Sequence, residues 1–109
     1  MKMQPEVRLS KSETSITAYI QHELCVSSTA SADLIGNEWW ISRVFVHAKY
    51  RRQHIGTLLV KTLQTHASNL VVTPGGYDME PVHQYGFYRS LGFVPDSILP
   101  EGLRWTATK

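Results

Sequence analysis

The chain has one cysteine, Cys25, which excludes an internal disulfide and leaves no second thiolate for a Cys-x-x-Cys redox or zinc pair. Long apolar runs are also missing. The longest are triplets such as Val44-Phe45-Val46 and Leu70-Val71-Val72, against the roughly 18 residues that a spanning helix needs, so no membrane association is expected. The start, Met1-Lys2-Met3-Gln4-Pro5-Glu6, lacks the apolar core of a signal peptide, and the cytoplasm is the expected compartment. The five histidines (His22, His47, His54, His66 and His83) form neither a His-Glu-x-x-His pattern nor a His-x-x-x-His pair on a clear helix, and no metal site is expected.

What is present is the composition of a folded domain: 42% hydrophobic and 18% charged residues over 109 positions. Against a soft prior of roughly 150 residues per domain, this length predicts one domain over 1–109. The net charge of +2 conceals a segregation of signs. Before Trp39, three cationic side chains face five carboxylates. From Trp39 to Tyr77 there is no Asp or Glu, while Arg43, Lys49, Arg51, Arg52 and Lys61 are all positive. After Tyr77 the balance is again slightly negative. The middle third therefore suits an anion, a phosphate ligand or a nucleic-acid backbone, although a solvated basic face has the same composition.

Periodicity predicts the elements. Pro5–Ser10 and Ser15–Ser28 read as an antiparallel hairpin around the polar turn Lys11-Ser12-Glu13-Thr14. The small, polar stretch Ser27–Asn37 reads as a loop closed by the Gly36-Asn37 turn. Glu38–Val46 carries aromatic and β-branched residues at both parities and is expected to be a central strand buried on both faces. Gly56–Ala67 has the 3,4 spacing of an amphipathic helix, and Leu70–Thr73 is a short strand stopped by Pro74-Gly75-Gly76. Pro81–Leu91 fits a helix with proline at its first position and Gly92 as its stop, and Phe93-Val94 and Leu103–Thr106 follow as short strands.

The order strand, basic loop, helix at Ile41–Ala67 has a physical use. The first turn of a helix presents unpaired amides and the positive end of its dipole, so amides from Gln53, His54, Ile55, Gly56 and Thr57 can wrap a pyrophosphate, with Arg51 and Arg52 adding charge. Arg51-Arg52-Gln53-His54-Ile55-Gly56 resembles the Arg/Gln-x-x-Gly-x-Gly/Ala loop of the GNAT superfamily of acetyl-coenzyme A-dependent N-acetyltransferases, with His54 in place of the middle glycine. Phe87-Tyr88-Arg89-Ser90-Leu91-Gly92-Phe93 is similar to that family's Phe-Tyr-x-x-x-Gly-Phe at the end of its last helix. The Asn usual seven residues before that tyrosine is Pro81 here, and the Ala four before it is Gln84.

The resemblance implies an α+β fold: a mostly antiparallel twisted sheet with splayed central strands and two main helices. The two N-terminal helices of larger members have no clear room in the first 38 residues and are expected to be reduced or absent. Acetyl-CoA is the implied co-substrate and an amine the acceptor, either a small molecule or a protein lysine or N-terminus, with a homodimer one way to complete the acceptor site. By the same resemblance, Val44 and Val46 offer backbone amides to the pantetheine arm and Tyr88 protonates the departing thiolate. Many relatives carry a base on the central strand where this chain has Trp39-Trp40-Ile41-Ser42. Ser42 with a water, Glu38, Asp78, Glu80 and His83 all stay open as the base, as does proton loss to solvent. Two readings compete with catalysis: a non-catalytic acyl-CoA-binding or interaction module, suggested by His54, and a small nucleic-acid binder using the basic stretch, which leaves the Tyr88–Phe93 match unexplained.

Overall fold

A computed structural model describes residues 6–23, 26–50, 54–73, 81–95 and 102–107. Seven strands form one sheet: β1 (Arg8–Lys11), β2 (Ser15–Glu23), β3 (Val26–Ile35), β4 (Glu38–Phe45), β5 (Asn69–Val72), β6 (Val94–Pro95) and β7 (Leu103–Thr106). The helices are α1 (Ile55–His66) and α2 (Pro81–Ser90), with a short 3₁₀ turn at Ala48–Tyr50 between β4 and α1. The spatial order is β1-β2-β3-β4-β5-β7-β6. Every neighbouring pair is antiparallel except β4 and β5, which the α1 crossover makes parallel. No helix among the described residues is long and apolar enough to cross a membrane.

Helix α1 buries Ile55, Leu59, Val60 and Leu63, a single stripe, and lies across β2 and β3. Beneath it are Ile16, Ala18 and Ile20 of β2 and Ser28, Ala30 and Ala32 of β3, the alternate residues that point to one face of the sheet. The opposite face carries Thr17 and Ser31, whose hydroxyls meet at 3.3 Å.

Two expectations are corrected here. The stretch read as a loop over Ser27–Asn37 is strand β3 up to Ile35, and the preceding strand ends at Glu23 instead of Ser28. Strand propensity is low in Ser-Ser-Thr-Ala-Ser-Ala, but pairing on both sides with β2 and β4 decides the conformation, and small side chains at Ser28, Ala30 and Ala32 let α1 lie close to the sheet. The Gly36-Asn37 turn stands as read, now joining β3 to β4, with Gly36 at φ +64°. The second correction concerns β4: its residues are half-buried, and Ser42 and Arg43 are exposed. Both-parity apolar residues here mark two partly covered faces, because α1 sits mainly over β2 and β3.

This packing makes a prediction. Ala30→Leu places three extra carbons under α1 at a site with no exposure, and is expected to destabilise by about 1–3 kcal/mol through overpacking, read as a lower urea midpoint. An unchanged midpoint would show that α1 does not rest on this residue.

Candidate active site

Strands β4 and β5 share a single ladder position, Trp40↔Val71. The Trp39 amide donates to Asn69 Oδ1 at 3.0 Å and brackets the closed end of the pair. From Ile41 to Phe45, β4 pairs with β3 on one side and with no described strand on the other, so the sheet opens between its two parallel strands. A β-bulge sits on this open part: Ala32 pairs with Ile41 and Ser31 with Arg43, which makes Ser42 the extra residue.

The bulge sets the direction of the amides. Trp39 donates toward β5, whereas His47, eight residues on, donates toward β3, to Ser28 Oγ at 3.1 Å. An even separation on a regular strand would send both the same way, so the extra residue has reversed the parity. Counting back three from His47 turns the Val44 amide away from β3, toward the open edge, and Val46 lies at the same parity. Had β4 been regular, Val44 would have presented its carbonyl and amide to β3 instead.

Beyond β4 the chain enters α1. Its N-cap, His54, has φ 61° and ψ 21°, the left-handed conformation, and its side chain makes no capping hydrogen bond. The residue that replaces the family's glycine thus keeps a glycine-like backbone, and the His54 carbonyl accepts the first helical bond from the Leu58 amide at 3.0 Å. With no side-chain cap from His54 and no acidic residue in the first turn, the start of α1 keeps its positive end for a ligand. Gly56 faces inward: a Cβ there would meet Phe87 Cζ at 3.4 Å and Val46 Cγ2 at 3.5 Å. The end of β4, the first turn of α1 and the last turns of α2 therefore converge at this glycine. His54→Gly relieves the left-handed strain, and after the extra chain entropy of glycine a gain of about 0.5–1 kcal/mol is expected, seen as a melting temperature a few degrees higher.

Tyr88 lies on α2 with 5% of its surface exposed. Its ring makes edge contacts with Phe87, centroids 5.0 Å apart, and with Phe93 at 5.2 Å. Burial pushes the phenol up to about 12, so it holds its proton throughout the neutral range. The helix end that carries it is fixed by a Schellman motif: the Phe93 amide donates to the Tyr88 carbonyl at 3.2 Å and the Gly92 amide to the Arg89 carbonyl at 3.1 Å, with Gly92 at φ +95°. Gln64 of α1 adds a bond from Nε2 to the Leu91 carbonyl at 2.9 Å, tying the two helices together.

Gly56 in the first turn of α1 lies against Val46, just beyond the open edge of β4; Val44 is on that edge, and His54, Ile55 and Thr57 flank Gly56 along the chain. Arg51, Arg52 and Gln53 lie outside the described residues, as do Asp78 and Glu80 and the side chain of His83 among the candidate bases. Glu38 sits at the closed end of β4 and is ion-paired with Arg104 of β7, which separates it from the open edge. Ser42 is exposed on the bulge, its hydroxyl donating to the Ser31 carbonyl at 3.4 Å. Asn69 was not singled out from sequence. Its one signal is an amide side chain at the first position of a short apolar strand, and its role as bracket to Trp39 depends on partners 30 residues apart.

A sheet that opens between two parallel strands, close to a helix start that His54 leaves without a side-chain cap, offers backbone donors suited to an anionic ligand. Residues 11–95 match the family model described as Acetyltransferase (GNAT) domain, and the chain belongs to that family. The crystal structure of the anti-CRISPR protein AcrVA5 superposes with a TM-score of 0.64 at 22% identity, covering 85% of this chain and 99% of that one, a likeness of fold. No curated protein matches the chain. The compact α+β architecture expected from sequence, a mostly antiparallel sheet with two main helices, is the one observed, with seven strands among the described residues.

Proposed function

We propose that the protein transfers the acetyl group of acetyl-CoA to a primary amine by direct attack within a ternary complex. The observation that carries this reading is the open edge of β4 from Ile41 to Phe45, with the first turn of α1 close to its end, where Gly56 lies against Val46. A pantetheine arm is a chain of amides. It can pair with the Val44 amide along that edge while the pyrophosphate sits against the first-turn amides of α1, with Arg51 and Arg52 supplying charge. The left-handed backbone at His54 supports the same reading, since it is a conformation that glycine adopts without strain.

The amine lone pair attacks the thioester carbon, the carbonyl electrons move to oxygen, and their return expels sulfur with the C–S electron pair. The nitrogen loses one proton and the thiolate gains one, so the products are an amide and free coenzyme A. Tyr88 is assigned as the hydrogen-bond donor to the departing sulfur, solvent supplies the proton that the thiolate gains, and water takes the amine proton. Acetyl-CoA binding measured by calorimetry, followed by thiol release with a panel of amines, tests the reading. Binding without turnover by any amine would favour the non-catalytic module, and absence of binding would remove both.

A further inference from the structure

Five residues, Val46 to Tyr50, connect the open edge of β4 to Arg51, and three of them, His47, Lys49 and Tyr50, are held by side chains from β2 and β3. Glu23 Oε2 accepts a hydrogen bond from the Tyr50 hydroxyl at 2.5 Å and another from Lys49 Nζ at 2.9 Å. The His22 ring lies flat on the Tyr50 ring, centroids 3.8 Å apart and planes 7° from parallel. Ser28, fully buried, accepts the His47 amide and lies 2.8 Å from His22 Nε2. The Lys49 amide closes the connection on itself by donating to His47 Nδ1 at 3.3 Å. His22 is the extra residue of a bulge in β2, between the pairs Gln21↔Ser27 and Glu23↔Val26, and bulges re-aim the side chains around them.

We propose that Glu23, acting through Tyr50, is a positioning residue for coenzyme binding. It holds His47–Tyr50, the described part of the β4–α1 connection, in one arrangement, so that this stretch does not have to be ordered when the first turn of α1 meets the pyrophosphate. This inference rests on the acyl-CoA reading given above. The Glu23 contacts join exposed side chains, and such pairs contribute little to global stability. Their effect falls on a short connection whose freedom must otherwise be lost when the ligand binds, which is the condition under which preorganisation governs affinity. Glu23 also neutralises Lys49, so two accounts of this carboxylate make opposite predictions. If it acts by charge alone, removing it frees Lys49 and tightens anion binding. If it positions the connection, removing it weakens binding.

The test measures coenzyme A affinity by calorimetry, acetyl-CoA KM and kcat, and thermal melting for the parent, Tyr50→Phe, Glu23→Gln and Glu23→Ala. Tyr50→Phe keeps the ring stack and the net charge and loses only the hydroxyl bond. It is expected to raise Kd and KM about 5- to 10-fold with kcat at saturation within twofold and a melting temperature within a few degrees of the parent. Glu23→Ala should weaken binding by at least as much, and Glu23→Gln, which keeps an acceptor for Tyr50, should recover part of the loss. Parental or tighter affinity in Tyr50→Phe and Glu23→Ala overturns the positioning role while leaving the acyl-CoA reading intact. A parent that binds no coenzyme A overturns both.

Discussion

Tyr88→Phe is expected to lower kcat about 10²-fold, the usual scale for a lost hydrogen-bond donor to developing charge, with acetyl-CoA KM nearly unchanged. The substitution isolates the hydroxyl, because the ring contacts with Phe87 and Phe93 that seat the side chain are kept. The raised phenol decides what kind of donor it is. At about 12, against roughly 8.5 for a thiol of the cysteine type, complete transfer to the free thiolate would run uphill by about 5 kcal/mol. Tyr88 therefore stabilises the departing sulfur by donating a hydrogen bond as negative charge builds, and solvent supplies the final proton. The kcat profile of the parent should accordingly show no ionisation of this group below about pH 10. Stability carries the same signature. A folded value raised above the unfolded one of about 10 gives a contribution that is complete below pH 10 and is lost as pH rises toward 12, on the order of 3 kcal/mol at most. Tyr88→Phe should remove that alkaline loss. Parental turnover by this variant, with the chemical step rate-limiting, excludes Tyr88 from the reaction.

The parts of the fold that were legible in the sequence are those whose pattern is local. The stripe Ile55, Leu59, Val60, Leu63 repeats at helical spacing and α1 appears where it was expected, and Gly92 ends α2 because only its left-handed φ closes the Schellman bonds. Strand β3 was not legible. Its serines and alanines have no strand preference of their own, and what holds them is pairing on both edges and the proximity of α1. For the site, the loop and the Phe87–Phe93 motif could be expected from sequence because the residues that carry the resemblance are consecutive. The Ser42 bulge was not, since an extra residue exists only relative to a partner strand, yet it is the bulge that turns Val44 toward the opening. Glu23 was hidden for the same reason: its partners Lys49 and Tyr50 are 26 and 27 residues away, and the acidic and basic segments look unrelated until the sheet brings them together.

Reversing both loop arginines, Arg51→Glu with Arg52→Glu, is expected to weaken coenzyme A binding by at least about 10²-fold, since a hydrogen bond to a charged partner contributes about 1.5–3 kcal/mol and two are replaced by repulsion. On the proposed reading, these positions are the anion contacts. They directly precede a helix start that has no side-chain cap from His54 and no acid in its first turn, and the one nearby lysine in the preceding connection, Lys49, is already held by Glu23. The double reversal also takes the net charge from +2 to −2, two units per substitution, so a general electrostatic effect has to be separated from a local one. Arg8→Glu with Lys11→Glu makes the same change on β1, at the far edge of the sheet. If the arginines contact the pyrophosphate, the β1 pair should leave affinity within about threefold, and only the loop pair should abolish its dependence on salt. Equal losses in the two double variants, or a folded loop variant that binds coenzyme A like the parent, would remove Arg51 and Arg52 from the site and leave the amides of α1 to hold the phosphates alone.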